Sequence, residues 1–99
     1  MIKINIEKKD NNINKISITG HALYAESGKD IVCAAVSSTV ITTVNNILSL
    51  SKTIDYVEGK DGLSIIVIKD DEITQKLLSN MLSMLNELEK DYPKYIKIL

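Results

Sequence analysis

The sequence has few of the residues that usually mark a disulfide-linked, metal-binding or membrane protein. Its 99 residues include one cysteine, one histidine, one proline and neither tryptophan nor phenylalanine. A lone cysteine excludes an internal disulfide, and with no signal peptide visible it favours a reducing cytoplasm. No run of consecutive apolar residues reaches the roughly 18 that a membrane span needs. We therefore expect one cytoplasmic domain, residues 1–99, without a membrane partner.

The chain also lacks an excess of charge of either sign. It has 12 basic and 13 acidic residues, and its formal net charge is −1. Nucleic-acid-binding surfaces usually show as a basic stripe or an array of stacking aromatics, and neither is evident here. Phosphate-binding glycine motifs and CxxC or HxxxH metal spacings are missing as well. We expect no cofactor, no metal and no direct nucleic-acid binding.

Two hairpins and a short final strand can be read from alternating apolar and polar residues. Ile2, Ile4 and Ile6 alternate with polar residues, as in a half-buried strand. A turn over 8–14, rich in Asp and Asn, leads to a second strand over 15–19 that ends at Gly20. Segment 53–69 reads as a second hairpin about Lys60-Asp61, and "YIKIL" is a final short strand.

Two helices fill the gaps between these strands. Segment 31–50 is rich in Val, Ile and Thr, but it is too long for a strand, so we expect a buried helix with Asp30 as its N-cap. Its apolar positions recur every three or four residues, at Cys33, Val36, Val40, Val44 and Ile47. A second helix ends by Asp91 and shows an apolar stripe of Ile73, Leu77, Met81, Leu85 and Leu88. The order ββαββαβ predicts a two-layer α+β fold, with a single mixed or antiparallel sheet covered by two helices.

The only histidine and the only cysteine lie near each other in the sequence, in "ITGHALYAESGKDIVCAAVSS". His21 follows the end of the second strand, and Cys33 is expected to be the third residue of the first helix. A thiolate at that position is stabilised by the positive end of the helix dipole. The amides of the first turn could also donate hydrogen bonds to an oxyanion beside the sulfur. The arrangement favours a nucleophilic thiol with a nearby imidazole.

Each of these residues also has a purely structural interpretation. A single cysteine on an apolar helical stripe is more often a small buried hydrophobic residue, and a lone histidine after a strand is more often exposed or hydrogen-bonded. Asp30 needs no role beyond capping, and Ser37 could bond back to a carbonyl of its own helix. A redox-sensing thiol is less favoured, because the chain has no second cysteine to resolve it. Periodicity alone leaves these alternatives open.

The sequence resembles the ribosomal-processing cysteine proteases, the Prp family. The resemblance depends on "GHA" at 20–22 and "GKDIVCAAVS" at 28–37, and the predicted order of elements agrees with that family along essentially the whole chain. It implies that His21 is the general base and Cys33 the nucleophile of a dyad. It further implies supporting roles for Asp30, Ser37 and Gly20.

The resemblance has implications for partners too. Segment 22–29 would be a mobile loop over the cleft, made of Ala22, Leu23, Tyr24, Ala25, Glu26, Ser27, Gly28 and Lys29. The expected substrate is the N-terminal extension of the twenty-seventh protein of the large ribosomal subunit. The expected assembly is a homodimer without a cofactor. The alternative function, from another class, is a non-catalytic ribosome-assembly or peptide-binding module.

Overall fold

The computed structural model describes residues 1–20 and 29–99, and for residues 29 and 30 the backbone only. These residues form seven elements in the order ββαββαβ, as the sequence predicts. Their bounds are β1 Ile2–Lys9, β2 Asn12–Thr19, α1 Lys29–Leu50, β3 Ile54–Gly59, β4 Gly62–Val67, α2 Glu72–Asp91 and β5 Ile96–Ile98.

The five strands form one mixed sheet in the order β3-β4-β2-β1-β5. The β1–β5 pair is parallel and the other three pairs are antiparallel. The register places apolar residues side by side on one face. One row across four strands consists of Ile98, Ile4, Ile18 and Leu63.

Both helices contribute to the single core beneath that face. Val36, Val40 and Ile47 of α1 and Leu78 and Met81 of α2 are buried together with the inner isoleucines of the sheet. Every residue of the predicted α1 stripe, Cys33 included, is buried. In the part of the chain that the structure describes, the opposite face of the sheet is mostly polar, with Lys3, Asn5 and Ser17, and its apolar residue Val57 is exposed. The two-layer α+β prediction is confirmed.

The first hairpin has a tighter turn than we predicted. The turn is only Asp10-Asn11, both with positive φ (53° and 67°), and β2 begins at Asn12 rather than at residue 15. Asp and Asn tolerate this left-handed backbone, which two-residue hairpin turns require. The register then shifts, because Glu7 pairs with Lys15 and Lys8 with Ile13. The resulting β-bulge at Asn14 turns Ile13 into the core, where it is 5% exposed.

Gln75 of α2 completes the hydrogen bonding of this bulged strand. Its Oε1 accepts from the Ile13 N–H at 2.8 Å, and its Nε2 donates to the Ile13 carbonyl at 2.8 Å. The regular pairing of β2 with β4 extends only to Lys15, so Ile13 lies beyond it. The side-chain amide of Gln75 therefore makes the two hydrogen bonds that a neighbouring strand would make with Ile13, and these bonds connect α2 to the sheet.

We expect Gln75→Ala to lower the free energy of unfolding by about 1–3 kcal/mol, because it leaves a part-buried N–H and a part-buried carbonyl without their protein partner. Urea unfolding measures the change. Asn86→Ala, at an exposed position of the same helix, is the matched control and should change stability by less than about 0.5 kcal/mol. Equal losses in the two variants would contradict the strand-like role of Gln75.

The α2 helix ends at Asp91 as predicted, and Met81 and Leu85 of the predicted stripe are buried, but its first turn faces the core with a different residue. Asp71 is its N-cap, and its Oδ1 accepts from the Thr74 N–H at 2.7 Å. Hydrogen bonds from the Thr74 backbone and side chain hold the pKa of the Asp71 carboxyl below its ordinary value. Ile73, predicted to be buried, is 57% exposed, whereas Thr74 is 2% exposed. The buried hydroxyl of Thr74 is satisfied there by a hydrogen bond of 2.6 Å with the hydroxyl of Thr53.

The short strand β5 is hydrogen-bonded on both of its sides, to β1 and to α2. It pairs with β1, and the Leu99 N–H donates to the Ile4 carbonyl at 2.8 Å. On the other side, the Glu89 carboxylate accepts from the Ile98 N–H at 2.7 Å. The final strand is therefore tied both to the sheet and to α2.

The α1 helix is more apolar than the count of consecutive apolar residues indicated. Its segment Ile31–Leu50 has a mean hydropathy of 1.6 and is long and apolar enough, by length and composition, to cross a membrane. The count missed this because isolated Ser, Thr and Asn residues interrupt the apolar run. In the structure, Val32, Val36 and Val40 of this segment are fully buried in the core of the domain. The α1 helix is thus the central core helix.

Candidate active site

The candidate site lies at one end of the sheet, and the topology explains why. The α1 helix ends at Leu50, shortly before β3 begins opposite Val67, the last residue of β4. The 22 residues of α1 rise about 33 Å, somewhat more than the length of β2. The start of α1 therefore lies at the other end of the sheet, where β2 ends. Gly20 and the turn that carries Cys33 come from the same end.

Gly20 ends β2 in a conformation that requires glycine. Its φ is +73°, and a Cβ at this position would overlap the carbonyl oxygen of Met1. The close approach joins the start of the chain to the end of the second strand. Gly20 thus fixes the direction in which the chain leaves the sheet toward His21. This is a backbone role, and the supporting role at the active site predicted for Gly20 stays a prediction.

Cys33 is well inside the domain. It is a free thiol, its side chain belongs to the hydrophobic core cluster, and the residue is 6% exposed. Its neighbour Val32 is fully buried, whereas Ile31 and Ala34 on either side of this pair are exposed. Burial of this degree agrees with a packing cysteine as well as with a nucleophile. The reactivity of the thiol must therefore be argued from its place in the fold.

The predicted start of α1 is wrong by two residues. The helix begins at Lys29, so Asp30 is a helical residue and not the N-cap, and Lys29 is not the last residue of a loop. Cys33 is the fifth residue of the helix instead of the third. The sequence misled us because aspartate is favoured both at the N-cap and inside the first turn. The amides without an intrahelical acceptor belong to the turn before Cys33.

Ser37 lies one turn beyond Cys33 on α1 and is half-buried. Residues four apart project from the same side of a helix, so Ser37 and Cys33 share one side of α1. His21 and residues 22–28 lie outside the described residues, as do the side chains of Lys29 and Asp30. The predicted dyad partner and loop therefore stay predictions.

The second hairpin closes the same end of the sheet, which we did not predict. Thr19, the last residue of β2, pairs with Gly62 at the start of β4, and Gly62 pairs with Gly59. The Lys60-Asp61 turn is thus next to the chain that leads to His21. The strand order places it there, and nothing in the local sequence indicates that order.

Metal binding finds no support in residues 1–20 and 29–99. Within these ranges no group of three His, Cys, Asp or Glu side chains could hold a metal ion.

Comparisons with known proteins identify the fold and the chemistry together. A family model described as "Cysteine protease Prp" matches residues 1–97. The ribosomal processing cysteine protease Prp of Bacillus subtilis is 32% identical over 107 residues, which cover 99% of this chain and 96% of that protein.

Solved structures agree. A crystal structure of an essential ribosomal processing protease Prp from S. aureus, in complex with a substrate peptide, is 28% identical and has a TM-score of 0.92. The match covers 100% of this chain and 98% of the S. aureus chain. A second S. aureus Prp structure, with a covalently linked product peptide, has a TM-score of 0.88 at 29% identity and covers 99% of this chain and 97% of that one. Because sequence and fold agree over nearly the full length, this chain belongs to the Prp family of cysteine proteases.

Proposed function

We propose that this chain is an endopeptidase that removes the N-terminal extension of the twenty-seventh protein of the large ribosomal subunit. The relatives are named for ribosomal processing, and one S. aureus Prp structure contains a substrate peptide. The observation that carries the proposal is the covalently linked product peptide in the second S. aureus structure, because a covalent product is the expected trace of a nucleophilic enzyme.

The nucleophile that we propose is Cys33. A cysteine protease needs a thiol, and Cys33 is the only cysteine in the sequence. The same argument favours His21 as the general base, because it is the only histidine. The topology supports the pairing, since the strand that leads to His21 ends at the end of the sheet where α1 begins.

The proposed reaction has two steps. His21 takes the proton of the Cys33 thiol, the sulfur attacks the scissile carbonyl, and free amides of the first turn of α1 stabilise the oxyanion. The C–N bond breaks as His21 returns the proton to the leaving amine, which leaves a thioester on Cys33. Water then attacks the thioester and releases the new carboxylate and the free thiol.

Asp30, Ser37 and Gly20 complete the proposed site as supporting residues, and segment 22–28, which ends where α1 begins at Lys29, is proposed to lie over the bound peptide. Ser37 is suited to this role because it lies one turn from Cys33 on the same side of α1. Gly20 is suited to it because it sets the path of the chain into His21. We also propose that the protein works in the cytoplasm as a homodimer.

The direct test is incubation of the purified chain with the ribosomal protein carrying its extension, followed by mass spectrometry. We expect a single cut that removes the extension and leaves the rest of the substrate intact. A substrate with alanines at the two residues before the cut serves as the control, because sequence recognition should fail there. An uncut extended protein would overturn the proposed substrate.

The burial of Cys33 is the observation that favours the non-catalytic alternative, a module that only holds a peptide. Alkylation by iodoacetamide near neutral pH separates the two functions, because the thiolate is the reactive form. We expect Cys33 to be alkylated faster than the thiol of free cysteine. Alkylation only under denaturing conditions would indicate a packing residue.

A further inference from the structure

The packing of the described residues does not explain why residue 59 is a glycine. Gly20 and Gly62 need to be glycine, because each has a positive φ and a backbone oxygen close to where a Cβ would lie. Gly59 is exposed, its φ is not positive, and a Cβ there would meet only the Gly62 carbonyl oxygen, at an ordinary 3.8 Å. Glycine weakens a strand relative to alanine, and it often marks a place where a ligand or another backbone comes close.

The missing side chain leaves a cleft on the open face of the sheet, which is the face away from the helices. Gly59 belongs to this face because Val57, two residues earlier on β3, belongs to it. The cleft has a volume of about 350 Å³, and the paired residues Gly59 and Gly62 form part of its lining. A side chain at residue 59 would project into this space, so the cleft depends on the glycine.

The rest of the lining can bind an extended peptide. Ser17, Thr19 and Ser64 contribute hydroxyls, and within residues 1–20 and 29–99 these hydroxyls have no hydrogen-bond partner. A hydroxyl both donates and accepts, so it can bond to the carbonyl or to the N–H of a peptide. Val57, which is 54% exposed, offers an apolar contact. The charged groups of the lining belong to the Lys60-Asp61 turn at the end of the hairpin, so the interior of the cleft suits an uncharged segment.

The cleft lies at the end of the sheet where the proposed active site lies. Thr19 ends β2 and pairs with Gly62, which pairs with Gly59. The chain continues from the end of β2 to His21. The strand order places β3 two strands from β2, which is about 10 Å, and about three residues of extended peptide span that distance. A peptide cut beside His21 can therefore reach the cleft with a segment that flanks the cut.

We propose that Gly59 is a specificity-determining residue of this protease, because its missing side chain admits an extended, uncharged segment of the substrate to the open face of the sheet. The segment begins about three residues from the cut. The hydroxyls of the cleft bond to its backbone, and Val57 contacts its side chains. This inference rests on the proposed function, since it assigns a second contact to the same substrate.

Steady-state cleavage of the extended ribosomal protein by two Gly59 variants tests the proposal. We expect Gly59→Leu to raise KM at least about tenfold and to change kcat less than about twofold, because it removes binding without altering the reacting groups. Gly59→Ala should raise KM by less, since one methyl group fills less of the cleft. Asp55→Leu is the matched control, because Asp55 lies four residues earlier on the same face of β3 and outside the cleft. Its KM should equal that of the wild type, and urea unfolding checks that every variant is folded.

Amide NMR spectra of a Cys33→Ala variant separate the cleft from the proposed function, because they report binding without cleavage. A synthetic peptide spanning the junction of the extension should shift the amide signals of Thr19, Gly59 and Ser64, and an added Gly59→Leu substitution should remove these shifts. If the wild type leaves the extended protein uncut while the shifts appear, the proposed cleavage is wrong and the cleft stands. Absence of the shifts, or an unchanged KM in Gly59→Leu, overturns the cleft, and the proposed cleavage stands as long as the wild type cuts.

Discussion

Replacing Cys33 by alanine is expected to lower the rate of substrate cleavage at least about a thousandfold, because the nucleophile is lost and the proposed mechanism has no second thiol to replace it. Cleavage of the extended ribosomal protein, followed by mass spectrometry, measures the effect. The side chain is small and lies in the core, so the variant should stay folded with a modest loss of stability.

Two controls distinguish lost chemistry from lost structure. Val44→Ala removes a larger buried side chain from the same helix, three turns beyond Cys33, and should lower stability more while preserving most of the cleavage rate. Cys33→Ser preserves the shape of the residue but not the acidity of a thiol, and it should be nearly as inactive as the alanine variant. Full cleavage by either Cys33 variant would remove this residue from the mechanism.

Gly62→Ala is expected to lower the free energy of unfolding by about 3 kcal/mol or more, and thus by far more than Gly59→Ala. The φ of Gly62 is +152°, and a Cβ there would overlap the carbonyl oxygen of Ile18 on the neighbouring strand. The methyl group can be accommodated only if the start of β4 moves away from the end of β2. Thermal and urea unfolding measure the change.

Gly59→Ala is the matched control, because Gly59 pairs directly with Gly62 in the same hairpin. A Cβ at Gly59 would meet only the Gly62 carbonyl oxygen, at 3.8 Å, which is an ordinary contact. We expect this variant to change the free energy of unfolding by less than about 1 kcal/mol. Similar losses at both positions would show that the clash with Ile18 does not control the effect of Gly62→Ala.

The elements of the fold could be predicted wherever one physical pattern was dominant. The alternation of Ile2, Ile4 and Ile6 was sufficient for β1, and the length of segment 31–50 correctly outweighed its β-branched residues. The extent of β2 was not predictable, because Asn12 and Asn14 are typical of turns and local alternation gives no sign of the bulge at Asn14, opposite Glu7 and Lys8. The isoleucine at 13 is turned inward by this bulge, and its backbone N–H and carbonyl are satisfied by Gln75, 62 residues later.

The candidate site was predicted in part. The sequence placed Cys33 correctly in a buried helix, but it placed the helix start two residues late, because aspartate is favoured both at the N-cap and inside the first turn. The inward turn of Thr74 on α2 was missed for a similar reason: its partner, Thr53, is in a different element. The local sequence predicts which helices and strands form and which of their faces are buried. It does not show hydrogen bonds between residues distant in sequence, such as Thr53 and Thr74, which accompany the exact choice of buried residues.

The position of β5 has a consequence for how the chain folds. The two hairpins join residues that are close in sequence, whereas β5 pairs with β1, so that Ile96 lies beside Ile2. Closing so long a loop is slow and gains little until the rest of the core exists. We therefore expect the β1–β2 and β3–β4 hairpins to form early and the terminal strand to dock last, at a late stage of folding in which α2 and its Glu89 guide the strand into place.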